Sequence, residues 1–343
     1  MRFPGFTGEW KETTAAETCS EFKSGKGLKA ENILSEGLYP VYGGNGLRGY
    51  TSTFNHDGFF VLIGRQGALC GNINIAEGKS YITEHAIAVQ ANTENVTGFF
   101  QYLLLNMNLG QYSDQSAQPG LAVNKLLKLR INLPSKEEQQ KIATMLSLLD
   151  ARIATQNKII EKYESLIKGI AQSIAHSNKF NVRIAECLEC SSSTLQESEI
   201  WESGYYPVYG ANGIVGYLDN YNTQSEAIYI IKDGSGVGTV SYVTGKCSAT
   251  GTLSILQAKE GYSLQYLYYL LKVFNFEPYK TGVAIPHIYF KDYGKAKIFC
   301  PSYSEQLRYA KLLSVIDNKL LAEQNILTNF GLQKQYLLRQ MFI

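Results

Sequence analysis

The chain has 343 residues, 45% of them hydrophobic, with 32 Lys and Arg against 30 Asp and Glu for a net charge of +2. That length suits two or three domains, and the composition is that of a folded protein rather than a disordered one. So small a positive excess excludes an acidic DNA mimic and a basic-tail binder, so any affinity for DNA must come from a local basic face or from partner chains.

The opening stretch, RFPGFTGEW, lacks the charged-then-apolar layout of a secretory signal, and nowhere do eighteen apolar residues run together; the expected setting is the cytoplasm, with no membrane span. Cys19, Cys70, Cys187, Cys190, Cys247 and Cys300 are scattered, as in a chain whose thiols stay reduced. Cys187 and Cys190 form a CxxC, but a structural zinc site needs a second ligand pair, which no nearby Cys or His supplies.

Further along, residues 39–46 read YPVYGGNG and residues 206–213 read YPVYGANG; windows 39–50 and 206–217 agree at nine of twelve positions, 167 residues apart. The offset holds without drift: Gly67 maps to Gly234, Gly71 to Gly238, Thr83 to Thr250, Pro119 to Pro286, Pro134 to Pro301, Glu138 to Glu305, Gln139 to Gln306 and Asp150 to Asp317. A repeat this long is a duplicated domain pair, not a solenoid unit. Within each copy the hairpin signal comes first. Pro40 favours an extended entry, and Asn45-Gly46 suits a tight turn with positive φ. The residues shared between copies, Tyr42, Gly43, Asn45 and Gly46 with Tyr209, Gly210, Asn212 and Gly213, are read as turn scaffold.

Short β-prone runs follow, FFVLIG (59–64), NINIA (72–76) and HAIAVQ (85–90), then AIYIIK, VGTVSYV and TLSILQ in the second copy, separated by Gly-rich turns. An apolar helix comes next in each, GFFQYLLLNMNL (98–109) and SLQYLYYLLKVF (263–274). Each copy then closes with a long helix opened by PSKEEQQ at 134 and PSYSEQ at 301, where Ser135 with Glu138 and Ser302 with Glu305 predict capping boxes. Steps of four and three then alternate. The first seam is Ile142, Leu146, Leu149, Ile153, Gln156, Ile160, Tyr163 and Ile167; the second is Tyr309, Leu313, Ile316, Leu320, Glu323, Leu327, Phe330 and Lys334. The mean step of 3.5 residues is that of a supercoiled pair. Two helices of about 40 residues, roughly 60 Å each, are each other's nearest partner. A pseudo-two-fold relation between the copies would set them antiparallel with Gln156 facing Glu323, a polar layer that fixes register. The expected fold is α/β (α+β): a first strand-rich domain at 1–134, a central helix at 135–178, a second strand-rich domain at 179–301 and a C-terminal helix at 302–343.

Catalytic signatures are missing. There is no Gly-Lys-Ser/Thr phosphate loop, no NPPY-type or DPPY-type run that holds a flipped base, and no metal spacing among His56, His85, His176 and His287. GSGVG at 234–238 lacks the following helix and later acid of a nucleotide fingerprint and reads as a tight turn. A non-enzyme is expected.

Domain order, RFPGFTGEW, the paired YPVYG(G/A)NG stretches, the Pro-Ser…Glu-Gln helix openings, TGVAIPHIYFKDYG (281–294) and LLRQMFI at the end together resemble the specificity subunit of Type I restriction-modification systems. The resemblance implies two target recognition domains, each reading one half of a split DNA target, spaced by an antiparallel coiled coil. It also implies two methyltransferase subunits and ATP-driven restriction subunits as partners in host defence. S-adenosylmethionine, ATP and magnesium would be used by those partners, with no cofactor on this chain. Two half-sites about 34 Å apart suit domains on a rigid rod.

If the copies read different sequences, shared residues serve the frame or phosphate, and polar residues that differ serve the bases. The matched cations Arg65 with Lys232 and Lys79 with Lys246 are phosphate candidates. Arg48 (against Val215), Gln66 against Asp233, and His85 against Thr252 are base-readout candidates, joined by His287 and Tyr289. A coiled-coil protein adaptor is the alternative; its helices would look the same, but it would not require two similar yet unequal domains.

Overall fold

The computed structural model describes residues 2–114, 119–176, 180–282 and 284–342. Residues 177–179 at the expected boundary after the central helix, Val283 within TGVAIPHIYFKDYG and Ile343 within LLRQMFI lie outside the described residues. The chain forms two compact units, Met1–Gln156 with Ile326–Ile343, and Asn157–Asn325. Each long helix is therefore shared between units.

In the first unit the strand order is Cys19–Ser24, Ala86–Ala91, Phe60–Gly64, Ile73–Ala76, all antiparallel neighbours. Strand Phe60–Gly64 is buried along its whole length, because alternate residues face opposite layers. Val61 and Ile63 join a core with Phe99, Phe100 and Leu103 of the helix Thr97–Asn106. Phe60 and Leu62 pack with Ile82 on the other side, where Tyr42 also packs. A smaller three-stranded sheet contains the hairpin Tyr39–Gly43 and Gly46–Thr51, with Tyr81–Ile82 parallel to its first strand.

The second unit repeats this. Its sheet runs Leu188–Ser192, Leu253–Ala258, Glu226–Ile231, Val240–Thr244, and its small sheet joins Tyr206–Gly210 to Gly213–Leu218 and Ser248–Ala249. Register is copied with the fold: Val41 pairs with Gly49 and Val208 with Gly216, with an irregularity after each valine. In both hairpins the turn lies before a glycine of left-handed φ, Gly46 at +90° and Gly213 at +98°, which relieves the asparagine of that conformation.

The helices Lys136–His176 and Tyr303–Met341 follow the proline signals. Their openings differ. Ser302 makes half of the expected box: its amide donates to a Glu305 carboxylate oxygen (3.2 Å), but its hydroxyl also donates to that oxygen (2.6 Å), and the Glu305 amide goes to the Ser302 carbonyl (2.9 Å). At the first helix Ser135 still accepts from the Glu138 amide (3.3 Å), but Glu138 turns away to Arg2, which holds both its oxygens at 3.0 and 2.6 Å. The carboxylate is 1% exposed, so a guanidinium is a better partner than a lone amide. Within the first unit the two helix segments run antiparallel: Lys334 pairs with Asp150, while Leu338, Met341 and Phe342 reach the core around Ile142 and Leu146. Trp10 of RFPGFTGEW closes that end against Phe99 and Phe342.

Along the seams Ile142, Leu146, Leu149, Gln156, Ile160, Leu313 and Leu320 are buried, and Ile153, Ile316, Glu323 and Leu327 are half-buried.

Candidate nucleic-acid interface

In the first unit three separate segments meet at one concave surface of about 370 Å³, lined by Gly44, Asn45, Arg48, Gln66, Leu69 and His85 among others. The hairpin supplies Arg48, the turn after Phe60–Gly64 supplies Gln66 and Leu69, and the residue before Ala86–Ala91 supplies His85. Their placement is set by backbone bonds: the Arg65 amide donates to His85 (2.9 Å), Leu121 donates to Arg65 (2.9 Å), and Gly67 donates to Pro119 (2.9 Å). Gly43 gives the Arg48 stem its seat, since a Cβ there would lie 2.6 Å from Arg48 Cδ. Arg48 and Gln66 are exposed, and His85 is half-exposed, 3.5 Å from Glu84.

The second unit copies these bonds. Lys232 donates to Thr252 (3.0 Å), Ile288 to Lys232 (2.9 Å) and Gly234 to Pro286 (2.9 Å). Asp233 bridges His287 as Gln66 bridges Gly120. His287 is further paired with Thr281 through both backbone groups and lies 5.1 Å from the Tyr289 ring, over which Lys291 sits at 5.2 Å. The frame is the same; Val215, Asp233, Thr252 and His287 occupy the places of Arg48, Gln66, His85 and Gly120. Thr252 shares its hydroxyl with Thr250 at 2.8 Å, leaving it less free than an unpaired side chain.

Lys79 and Lys246 do not join these surfaces. Lys79 lies 4.9 Å over Phe54, and Lys246 lies 4.8 Å over Tyr221, each ring packed on the matched Tyr39 or Tyr206. Both lysines remain exposed, so the ring fixes the ammonium without removing it from solvent. Arg65 and Lys232 hold the frame through their backbones and are half-exposed. Burial, then the neighbouring Tyr50, raises the pKa of Tyr42; burial, then Cys247 and Tyr217, does so for Tyr209, so both phenols stay neutral donors.

Leu69 was missed from the sequence because only polar differences were sought. It is 46% exposed, lines the concavity and corresponds to Gly236 in the second copy, and an apolar side chain can read a thymine methyl. Asn45 was set aside as scaffold because both copies share it, yet it lines the same surface. Among the described residues no His, Cys, Asp and Glu group could hold a metal ion, and no helix is long and apolar enough to cross a membrane.

Comparison with known proteins gives this geometry a family. Residues 8–165 and 179–329 match the Type I restriction modification DNA specificity domain. The EcoprrI Type I restriction enzyme specificity subunit of Escherichia coli is 43% identical over 146 residues, 41% of this chain and 36% of that protein, so the chain aligns with about a third of that relative's length. A putative type I specificity subunit of Mycoplasma genitalium is 23% identical, covering 97% of this chain and 94% of its own. The crystal structure of a Type I restriction-modification S subunit from M. genitalium superposes with a TM-score of 0.78 at 20% identity, over 100% of this chain and 98% of that one, which shows the shared fold. The chain belongs to the Type I restriction modification DNA specificity domain family.

Proposed function

We propose that this chain reads a bipartite DNA target, one half-site per strand-rich domain, and recruits the subunits that act on it. The observation that carries the reading is the convergence of Arg48, Gln66 and His85 on one concave surface, over a frame that the second unit repeats with Asp233, Thr252 and His287. One frame with two polar sets is what two unequal half-sites require. Arg48 and Gln66 would take guanine and adenine edges, and Asp233 the cytosine amino group. Lys79, Lys246, Arg65 and Lys232 are assigned to phosphate.

The segments 1–134 and 179–301 then act as target recognition domains. The helices at 135–178 and 302–343 act as the coiled coil that sets the spacer, with Gln156 and Glu323 as its register layer. Docking of two methyltransferase subunits is supported by Leu148 and Val315, equivalent positions of the two helices that are 61% and 49% exposed. S-adenosylmethionine, ATP and magnesium belong on the methyltransferase and restriction subunits in the cytoplasm. Expression with the neighbouring methyltransferase subunit in an unmethylated host, followed by genome-wide mapping of modified adenines, should return a split motif with a constant gap. Scattered or absent modification would leave the adaptor reading in its place.

A further inference from the structure

The two units share a tyrosine–aspartate pair whose charged surroundings differ. In the first unit Tyr102 donates its hydroxyl to Asp150 at 2.9 Å, and Lys334 places its ammonium 2.6 Å from the other carboxylate oxygen and 5.9 Å from the Tyr102 ring centre. In the second unit Tyr269 donates to Asp317 at 3.3 Å. The position 167 residues before Lys334 is Ile167, which is 5% exposed and carries no charge. At that place the second unit has a cavity of about 430 Å³, lined by Tyr269, Asp317, Ile167, Leu320 and Glu164 together with Lys168 and Lys272.

Lys168 and Lys272 are exposed residues, and Lys272 lies 5.3 Å over the Tyr268 ring. Among the described residues neither makes an ion pair with Asp317. Both lysines line the cavity but stand outside ion-pair distance of Asp317, and the first unit shows which group can take the place directly beside the acid: an ammonium on a flexible stem, held by the acid and the ring together. Leu321, 57% exposed and one turn after Asp317 on the same helix, places an apolar side chain beside that charge for a polypeptide to cover.

We infer that the second-unit cavity receives a lysine or arginine side chain of a docked methyltransferase subunit, and that Lys334 fills the equivalent place in the first unit, so the two docking positions are unequal. The inference rests on the docking reading above. Its test is native mass spectrometry and titration of the full chain with the neighbouring methyltransferase subunit. Ile167→Lys supplies the cation internally, as Lys334 does, and Asp317→Asn removes the charge that binds it. The wild type should take two subunits; each variant should take one at unchanged affinity and the other at least about tenfold more weakly. DNA binding should be unaffected. If Ile167→Lys does not fold, Asp317→Asn decides alone. Two subunits bound at wild-type affinity by the variants, or equal weakening of both, overturns the inference and leaves docking standing. A wild-type chain that recruits no methyltransferase overturns both.

Discussion

The turn at 65–67 and its counterpart at 232–234 are tied down by the same backbone donors and acceptors, at 2.9 and 3.0 Å for the bonds to His85 and Thr252, the residues before strands Ala86–Ala91 and Leu253–Ala258. The side chains around those two turns differ. Arg48, Gln66 and His85 stand at the first, and Val215, Asp233 and Thr252 hold their places at the second. Even buried positions register the change: Thr250 shares a proton with Thr252, whereas Thr83, with His85 in the equivalent place, keeps a buried hydroxyl without a partner among the described residues. An orphaned buried hydroxyl costs about 1–3 kcal/mol, so the residue at 85 does not help the frame as Thr252 does in the second copy. On the proposed function, identity between the copies marks the frame and difference marks the reading surface.

The largest effect that separates the copies lies at their helix openings. Glu138 and Glu305 are equivalent residues with different work. Arg2→Ala leaves a carboxylate that is 1% exposed with no cation and only the Phe3 amide at 3.3 Å, and should destabilise the first unit by about 3 kcal/mol. Glu305→Ala removes only an exposed cap and should cost the second about 1 kcal/mol. Trp10 in the first unit and Trp201 in the second are the only two tryptophans, so denaturation of Trp201→Phe and Trp10→Phe backgrounds reports each unit by itself. Equal losses would mean that the Arg2 contact adds nothing beyond capping.

Next comes the reading surface. Arg48→Ala should lower discrimination at the first half-site by about 1–3 kcal/mol, or roughly 10- to 100-fold, while the second half-site in the methylation map stays unchanged. Uniform weakening on every sequence would instead make Arg48 a phosphate contact.

Much of this architecture was legible beforehand, because its signals are local. Alternating apolar runs gave the strands, proline followed by serine gave the helix openings, and steps of four and three gave the seams that bury Ile142, Leu146 and Leu313. Fold-level placement of Arg48, Gln66 and His85 on one surface was not local; it needed three segments brought together by bonds to Pro119 and Leu121. Arg2 and Glu138, 136 residues apart, carry no periodic trace of their pairing. Lys334 did leave a signal, a charge where the heptad calls for an apolar residue, but its partner Asp150 belongs to the other helix and could not be named from spacing.

The smallest expected effect concerns charges that the copies share. Lys79→Ala and Lys246→Ala should each reduce the salt dependence of DNA binding by about one unit of slope and leave the recognised sequence intact, because an ammonium over an aromatic ring offers charge without a directional base contact. Binding measured from low to moderate salt on cognate and scrambled duplexes separates the outcomes. If either substitution shifts the preferred sequence of its own half-site, then identity between the copies does not mark the frame at that position, and the rule used to choose the base-reading residues fails there first.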